Sequence, residues 1–276
     1  MRIDAWKRYG WLRHGFSTRH GGASAIYGGN SLNLGWTKED DAVSVKENRV
    51  HFAQCVDPDF GTKSGSSLVT VRQIHSNTIH VIREGEGASE GKLQTADGRA
   101  VLEGDGLITN MPGVLLGVGT ADCVPVLLVD ERTRAVGAFH AGWRGTVAGI
   151  IEQGVAMMVE EYGSHVEDLA AAVGPSIGDC CYAVGLEVRE GFGRRFDYAE
   201  ELFRIGVDEE EAEMYLDLWE ANRRQLLNAG VAEERITVVG DCTACGVDAN
   251  GRLKYFSHRG EQGITGRMLS VVGVAG

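Results

Sequence analysis

Three apolar runs rich in β-branched residues stand close together in the middle of the chain, Val114–Thr120, Val124–Val129 and Ala135–Phe139, and their length and composition predict strands. Polar residues interrupt them at Thr120-Ala121-Asp122-Cys123 and again at His140-Ala141-Gly142-Trp143-Arg144-Gly145. Cys123 and His140 therefore fall where the backbone leaves regular strand. Upstream, Leu68–Val71 and Thr78–Ile82 predict two more strands, separated by the polar stretch Arg72-Gln73-Ile74-His75-Ser76.

Helical spacing appears elsewhere. Ala42–Cys55 reads as an amphipathic helix with Val43, Val50 and Phe52 on its apolar face, Asp40 or Asp41 as N-cap and Cys55 as a structural residue. Thr146–Tyr162 carries Val147, Ile150, Ile151, Val155, Met158 and Val159 at helical intervals, predicting a helix that leaves the His140–Gly145 turn. Leu169–Val173 predicts a strand ending at Gly174-Pro175, Gly185–Phe192 a short helix, and Ile236–Val239 another strand. Asp217 is placed to cap a helix over Leu218–Ala229 that stops at Gly230, and Thr265 to cap a final helix from Gly266 or Arg267. Strand runs followed by β-α alternation predict α+β layers rather than a regular doubly wound sheet.

Composition narrows the function. The 276 residues include only four prolines and no linker-like tract or repeat, so one domain over 1–276 is expected, with Gly61–Ser67 and Gly85–Gly91 as surface loops. A net charge of −12 argues against a nucleic-acid groove, which needs a basic face. The acidic run Asp208–Glu213 reads as a solvated helix start or loop. Met1–Lys7 lacks the apolar core of a signal peptide, and no apolar run approaches the roughly 18 residues of a membrane span. A soluble, cytoplasmic protein without membrane partners is expected, in which the six cysteines are reduced thiols available for metal binding, catalysis or burial. Gly137–Gly145 lacks the dinucleotide-binding spacing, and no Gly-Lys-Ser/Thr phosphate loop occurs.

His75, Cys123 and His140 make a His₂Cys set. Two imidazoles and a thiolate are three of the four ligands of a tetrahedral zinc ion, with the fourth position left for water or substrate. The residues are not contiguous, and a packed cysteine with two hydrogen-bonded histidines is the plainer alternative.

An ordered series of motifs adds weight to the metal reading. Thr18-Arg19-His20-Gly21-Gly22, Asn33-Leu34-Gly35, Gln73-Ile74-His75, Asp105-Gly106-Leu107-Ile108-Thr109, Ala121-Asp122-Cys123-Val124-Pro125, His140–Gly145 and Gly174-Pro175-Ser176-Ile177-Gly178 follow one another. Cys180-Cys181-Tyr182, Cys242-Thr243-Ala244-Cys245, Ser257-His258-Arg259 and Gly263-Ile264-Thr265-Gly266-Arg267-Met268 complete the series. Over nearly its whole length the chain resembles the YfiH-like family, known as laccase-domain or polyphenol oxidase proteins and later as purine nucleoside phosphorylases.

The resemblance implies mixed sheets in a sandwich-like core flanked by helices, as in a related group read as cysteine hydrolases. It implies zinc on His75, Cys123 and His140 at the bottom of a pocket. The implied substrates are small purine nucleosides and phosphate. The implied reactions are phosphorolysis of adenosine, inosine and S-methyl-5'-thioadenosine to base and ribose 1-phosphate sugar, and deamination of adenosine to inosine. Two other readings stand beside it. One is a cysteine hydrolase with a Cys123/His140 dyad, acting on an amide of peptidoglycan precursors. The other is a copper-dependent polyphenol oxidase, weakened by the presence of only eight histidines and no His-x-His pair. Copper replacing zinc in the same set would account for such a side activity.

Around the metal set, Arg19 and Arg144 are the expected phosphate ligands, because a guanidinium fork matches phosphate oxygens. A buried ion pair with Asp122 is the alternative for Arg144. Asp122 is expected to orient His140 or His75 as a supporting carboxylate, and either Asp122 or Asp105 to serve as general acid or base, with a turn role open for Asp105. His258 and Arg259 are expected in the pocket wall, and Trp143 either stacks on a base or packs in the core. Cys180-Cys181 and the Cys242/Cys245 pair are open between a second metal and simple burial.

Overall fold

The computed structural model describes residues 1–62, 65–85, 87–88, 92–206 and 213–276. Parts of the loops expected at Gly61–Ser67 and Gly85–Gly91, and most of the acidic run Asp208–Glu213, lie outside the described residues.

Among the described residues, all the strands but His20–Ser24 form a four-stranded, a six-stranded and a three-stranded sheet. In the four-stranded sheet the order is Leu12–Phe16, Met268–Val274, Val114–Thr120 and Ser67–Thr70. In the six-stranded sheet it is Ile236–Val238, Leu169–Val173, Val124–Asp130, Val136–Ala141, Gly106–Thr109 and Ile79–Val81. Ala183–Val184, Met214–Leu216 and Phe203–Ile205 form the small sheet.

Strand alternation explains how the large sheets stack. Leu116 and Val118 of one meet Leu127, Val129 and Ala138 of the other in a shared core, while Leu115 faces away toward Phe52, Ala53 and Val56 of the helix Ala42–Val56. On the far face of the six-stranded sheet, Val126, Leu128 and Phe139 pack against Ile150, Ile151, Val155 and Met158. The architecture is thus α+β, with two sheets face to face and helices outside both. Gly154 lets the helix Ile150–Tyr162 lie on the Phe139 ring, since a Cβ there would stand 2.5 Å from it.

Several local expectations change. The final helix is instead the strand Met268–Val274, paired on both sides and buried at every position, as the charge-free, valine-rich run allows. The helix expected over Thr146–Tyr162 begins earlier, as Trp143–Val147, and restarts at Ile150 after Gly149 takes φ +77°. On Ala42–Val56 the cap is Asp41, which accepts from the Ser44 amide at 2.8 Å. The buried face there is Val45, Phe52, Ala53 and Val56, whereas Val43 and Val50 are exposed, and Cys55 is an exposed thiol rather than a core residue. Among the described residues no helix is long and apolar enough to cross a membrane.

Candidate metal centre and active site

Three chain segments bring the His₂Cys set together. Val124–Asp130 and Val136–Ala141 are antiparallel neighbours with Val124 opposite Ala141, so Cys123 and His140 arrive at the same end of one sheet. His75 comes from the turn before Ile79–Val81, at the edge of that sheet. Gln73 fixes this turn against the other sheet. Its side-chain amide donates to the Gly119 carbonyl at 2.7 Å, and its carbonyl accepts from the Gly119 amide at 2.8 Å.

The three ligand atoms lie within 4.8 Å of one another. The Cys123 Sγ is 4.0 Å from His75 Nε2, and the two imidazoles meet edge to face with centroids 5.0 Å apart. Gly142 leaves room beside Cys123 and His75, because a Cβ there would stand 3.0 Å from the Cys123 sulfur and 3.2 Å from His75 Cδ2. A thiol and two imidazoles whose donor atoms lie this close together fit a transition-metal ion that accepts nitrogen and sulfur.

Asp105 organises this set from beneath. Its buried carboxylate pairs with His140 Nδ1 at 2.8 Å, leaving Nε2 as the ligand atom. It also accepts the amides of Ile74 at 3.3 Å, His75 at 3.0 Å and Ser76 at 2.6 Å, together with the Ser76 hydroxyl at 2.8 Å. Those bonds hold His75 in the left-handed region at φ +59°, a conformation a non-glycine residue keeps only when its surroundings impose it.

The charges follow from these contacts. Burial raises the Cys123 thiol, but the charge and hydrogen bond of His140 together with those of His75 more than reverse this and leave it lowered to about 6. Burial lowers His140, which the Cys123 thiolate and the Asp105 hydrogen bond then raise to about 9. Asp105 is held at about 2 despite burial, by His140 and by the amide and hydroxyl of Ser76. Without a metal, the set is a thiolate–imidazolium pair backed by a carboxylate.

Asp122 does something else. It touches neither imidazole, contrary to the expectation that it would orient one. Its oxygens accept from Thr243 Oγ1 at 2.7 Å and from the Arg259 amide at 2.6 Å, and it sits at φ +92°. The supporting carboxylate is therefore Asp105, and Asp122 anchors the opposite wall.

Above the set opens a cleft of about 930 Å³. Its lining includes His75, Cys123, His140, Trp143, Arg144, Tyr182, His258 and Arg259. Although the chain is acidic, the cleft gathers Lys38, Arg49, Arg72, Arg99, Arg144, Arg259 and Arg267 against the carboxylates of Glu39 and Asp122. Arg72 and Arg99 are paired with Glu103 and Asp97. Among the described residues no carboxylate pairs with Arg144, Arg259 or Arg267. Arg144 lies over the Trp143 ring at 4.4 Å, so the expected alternative of a pair with Asp122 is not formed.

Arg19 lies outside the cleft. It is buried, pairs with Glu261 at 3.0 Å, donates to the carbonyls of Tyr255 and Tyr27, and stacks on Phe256. It braces the loops behind the wall instead of offering itself to an anion. Arg49 and Arg267, the latter inside the Gly263–Met268 motif, had no role assigned from sequence; they reach the cleft from a helix and from the residue before the last strand. Trp143 is half-buried and packs against the core while also lining the cleft.

The chain is 35% identical to the purine nucleoside phosphorylase YlmD of Bacillus subtilis, over 94% of this chain and 87% of that protein. It is 36% identical to the adenosine deaminase RL5 of an unknown prokaryotic organism, over 83% and 84% of the two chains. The crystal structure of the hypothetical protein YfiH from Bacillus licheniformis superposes with a TM-score of 0.82 at 33% identity, covering 98% of this chain and 94% of that one. The family model described as multi-copper polyphenol oxidoreductase laccase matches residues 13–275, and the chain belongs to that laccase-like, YfiH family.

Proposed function

We propose that this protein is a cytoplasmic, zinc-dependent purine nucleoside enzyme. It splits adenosine, inosine and S-methyl-5'-thioadenosine with phosphate, and deaminates adenosine to inosine. The observation that carries the reading is the His75/Cys123/His140 set in a cleft where Arg144, Arg259 and Arg267 have no carboxylate partner among the described residues, although the chain is acidic. Relatives named purine nucleoside phosphorylase and adenosine deaminase support both halves of it.

His75, Cys123 and His140 would hold zinc, which when bound supplies Lewis acidity at a position open to water or substrate. Arg144, Arg259 and Arg267 are placed to take phosphate, since each lacks a competing carboxylate among the described residues and a guanidinium fork binds phosphate oxygens in pairs. Trp143 and Tyr182 offer flat surfaces to the purine. In phosphorolysis a phosphate oxygen bonds to C1′ as the bond from C1′ to the base nitrogen breaks, and the electron pair leaves with the purine, which takes up a proton. His258, on the cleft wall, is placed as the proton donor. In deamination water adds at C6 and ammonia leaves. Asp105 keeps the His140 proton on Nδ1, so Nε2 stays an electron-pair donor toward the centre.

The donor count supports zinc over a coupled copper centre. Among the described residues only His75 and His140 share a ligand group, whereas multicopper oxidation draws on several imidazoles. A second reading has its own support. The lowered Cys123, raised His140 and buried Asp105 form an ordered Cys–His–Asp arrangement, the constellation of a thiol hydrolase.

Product chromatography separates these. The zinc-quantified protein, incubated with adenosine, is expected to give adenine and ribose 1-phosphate only when phosphate is present, inosine with or without it, and neither in His75→Ala. No product from adenosine with the zinc site filled, together with hydrolase activity that persists after chelation and is abolished by alkylating Cys123, would transfer the assignment to the thiol hydrolase.

A further inference from the structure

Four of the remaining cysteines gather away from the cleft floor. Cys180 and Cys181 follow the Gly174–Gly178 turn, and Cys242 and Cys245 follow the strand Ile236–Val238. One sulfur from each lies within 4.8 Å of all the others, and Cys180 Sγ stands 3.6 Å from Cys245 Sγ. Four sulfurs around a tetrahedral zinc ion at roughly 2.3 Å stand about 3.8 Å apart, so this is ligand spacing. All four thiols are free.

The backbone around Cys242 is a second observation pointing the same way. Its sulfur receives the Gly178 amide at 3.3 Å and faces the amides of Ala244 and Cys245. Several amides aimed at one sulfur stabilise a thiolate, whereas a neutral thiol is a weak acceptor that repays them little. The turn that aims them is closed by the Gly246 amide on the Cys242 carbonyl at 2.8 Å, and a Cβ on Gly246 would stand 2.5 Å from that oxygen.

We propose that Cys180, Cys181, Cys242 and Cys245 form a second metal site, a closed tetrathiolate for a thiophilic divalent ion of the zinc class. It fastens the segment carrying Tyr182 to the segment carrying Thr243 and Arg259. These two segments also meet at the Ser176–Cys242 bridge, through the Gly178 amide on the Cys242 sulfur, and through the Arg259 guanidinium, which donates to the Ala183 carbonyl at 2.7 Å and lies over the Tyr182 ring. Four protein ligands leave no open position, so the site is structural. It holds the wall on which Asp122 is anchored.

The test counts metal in the full chain, purified under reducing conditions with zinc. In the His75→Ala/His140→Ala double variant, about one zinc per chain should remain, and adding Cys180→Ser/Cys245→Ser should remove it. The wild-type chain provides a check that needs no cysteine variant. It should hold about two zinc ions, and its Cys180, Cys181, Cys242 and Cys245 should resist a thiol reagent that modifies exposed Cys55 rapidly, until a chelator is added. A double variant without zinc, reaction of Cys180 and Cys245 as fast as Cys55, or a disulfide among the four in the peptide map would overturn the proposal. Failure of the nucleoside assay leaves this count untouched.

Discussion

Asp105 and Asp122 are both buried, both lie at strand ends beside the cleft and both accept backbone amides, yet they govern opposite sides of it. Asp105 gathers the His75 turn and His140, so it acts on the ligands. Asp122 gathers Thr243 and the Arg259 amide, so it acts on the opposite wall of the cleft. A carboxylate's role is set by which donors the topology delivers to it, and two residues of one type beside one cavity divide the work between the His₂Cys set and the facing wall.

The comparison breaks hardest at Asp105. Asp105→Ala leaves His140 without its partner and three amides without an acceptor, and is expected to weaken zinc binding by about 10- to 100-fold, with loss of the metal-dependent turnover. Stability should fall by about 3 kcal/mol or more, because a buried charged partner is removed. Zinc competition titration and thermal unfolding read the two effects. Unchanged zinc affinity would remove Asp105 from the metal side.

Gly142→Ala tests the same side without touching a charge. Gly142 has φ −68°, so alanine brings no backbone strain, and its methyl meets the Cys123 sulfur and the His75 ring instead. Zinc affinity should drop by about tenfold while the melting temperature of the metal-free protein stays near the wild-type value.

Asp122→Asn acts on the other side and less severely. An Asn carbonyl still accepts the Arg259 amide, and the Thr243 hydroxyl can turn to accept from the new amide, so about 1 kcal/mol is lost. The expected outcome is a KM for phosphate raised about fivefold at unchanged zinc content. Zinc lost in proportion to activity would merge the two roles that the structure separates.

The juxtaposition of Cys123 and His140 was legible because strand ends are legible. Cys123 and His140 close apolar runs that alternate or fill both faces, and antiparallel pairing then brings them together. The division between Asp105 and Asp122 was not, because their partners are remote in sequence: Asp105 and His140 are 35 residues apart, and Asp122 and Arg259 are 137 apart. No local pattern encodes such a contact. Arg19 shows the reverse error, an arginine in a conspicuous motif that Glu261 already occupies. Arg267 entered the cleft with no role assigned because the run after it was read as a helix, whereas the strand Met268–Val274 inserts into the middle of a sheet and carries the preceding arginine to the rim.

The smallest effect separates the two aspartates electrostatically. In the metal-free protein Cys123 is lowered to about 6 and His140 is raised to about 9, so the thiol is ionised above the first value while its partner stays protonated up to the second. Alkylation of Cys123, followed by peptide mapping to exclude the other thiols, should therefore rise with pH through a midpoint near 6. Asp105→Asn removes the carboxylate that helps keep His140 charged, so less imidazolium faces the thiol and the midpoint should move up by about one pH unit. Asp122→Asn leaves His140 and its partner intact, and the midpoint should stay where it was. Equal shifts in both variants would mean that Cys123 responds to the net charge of the cleft and not to the His140–Asp105 pair.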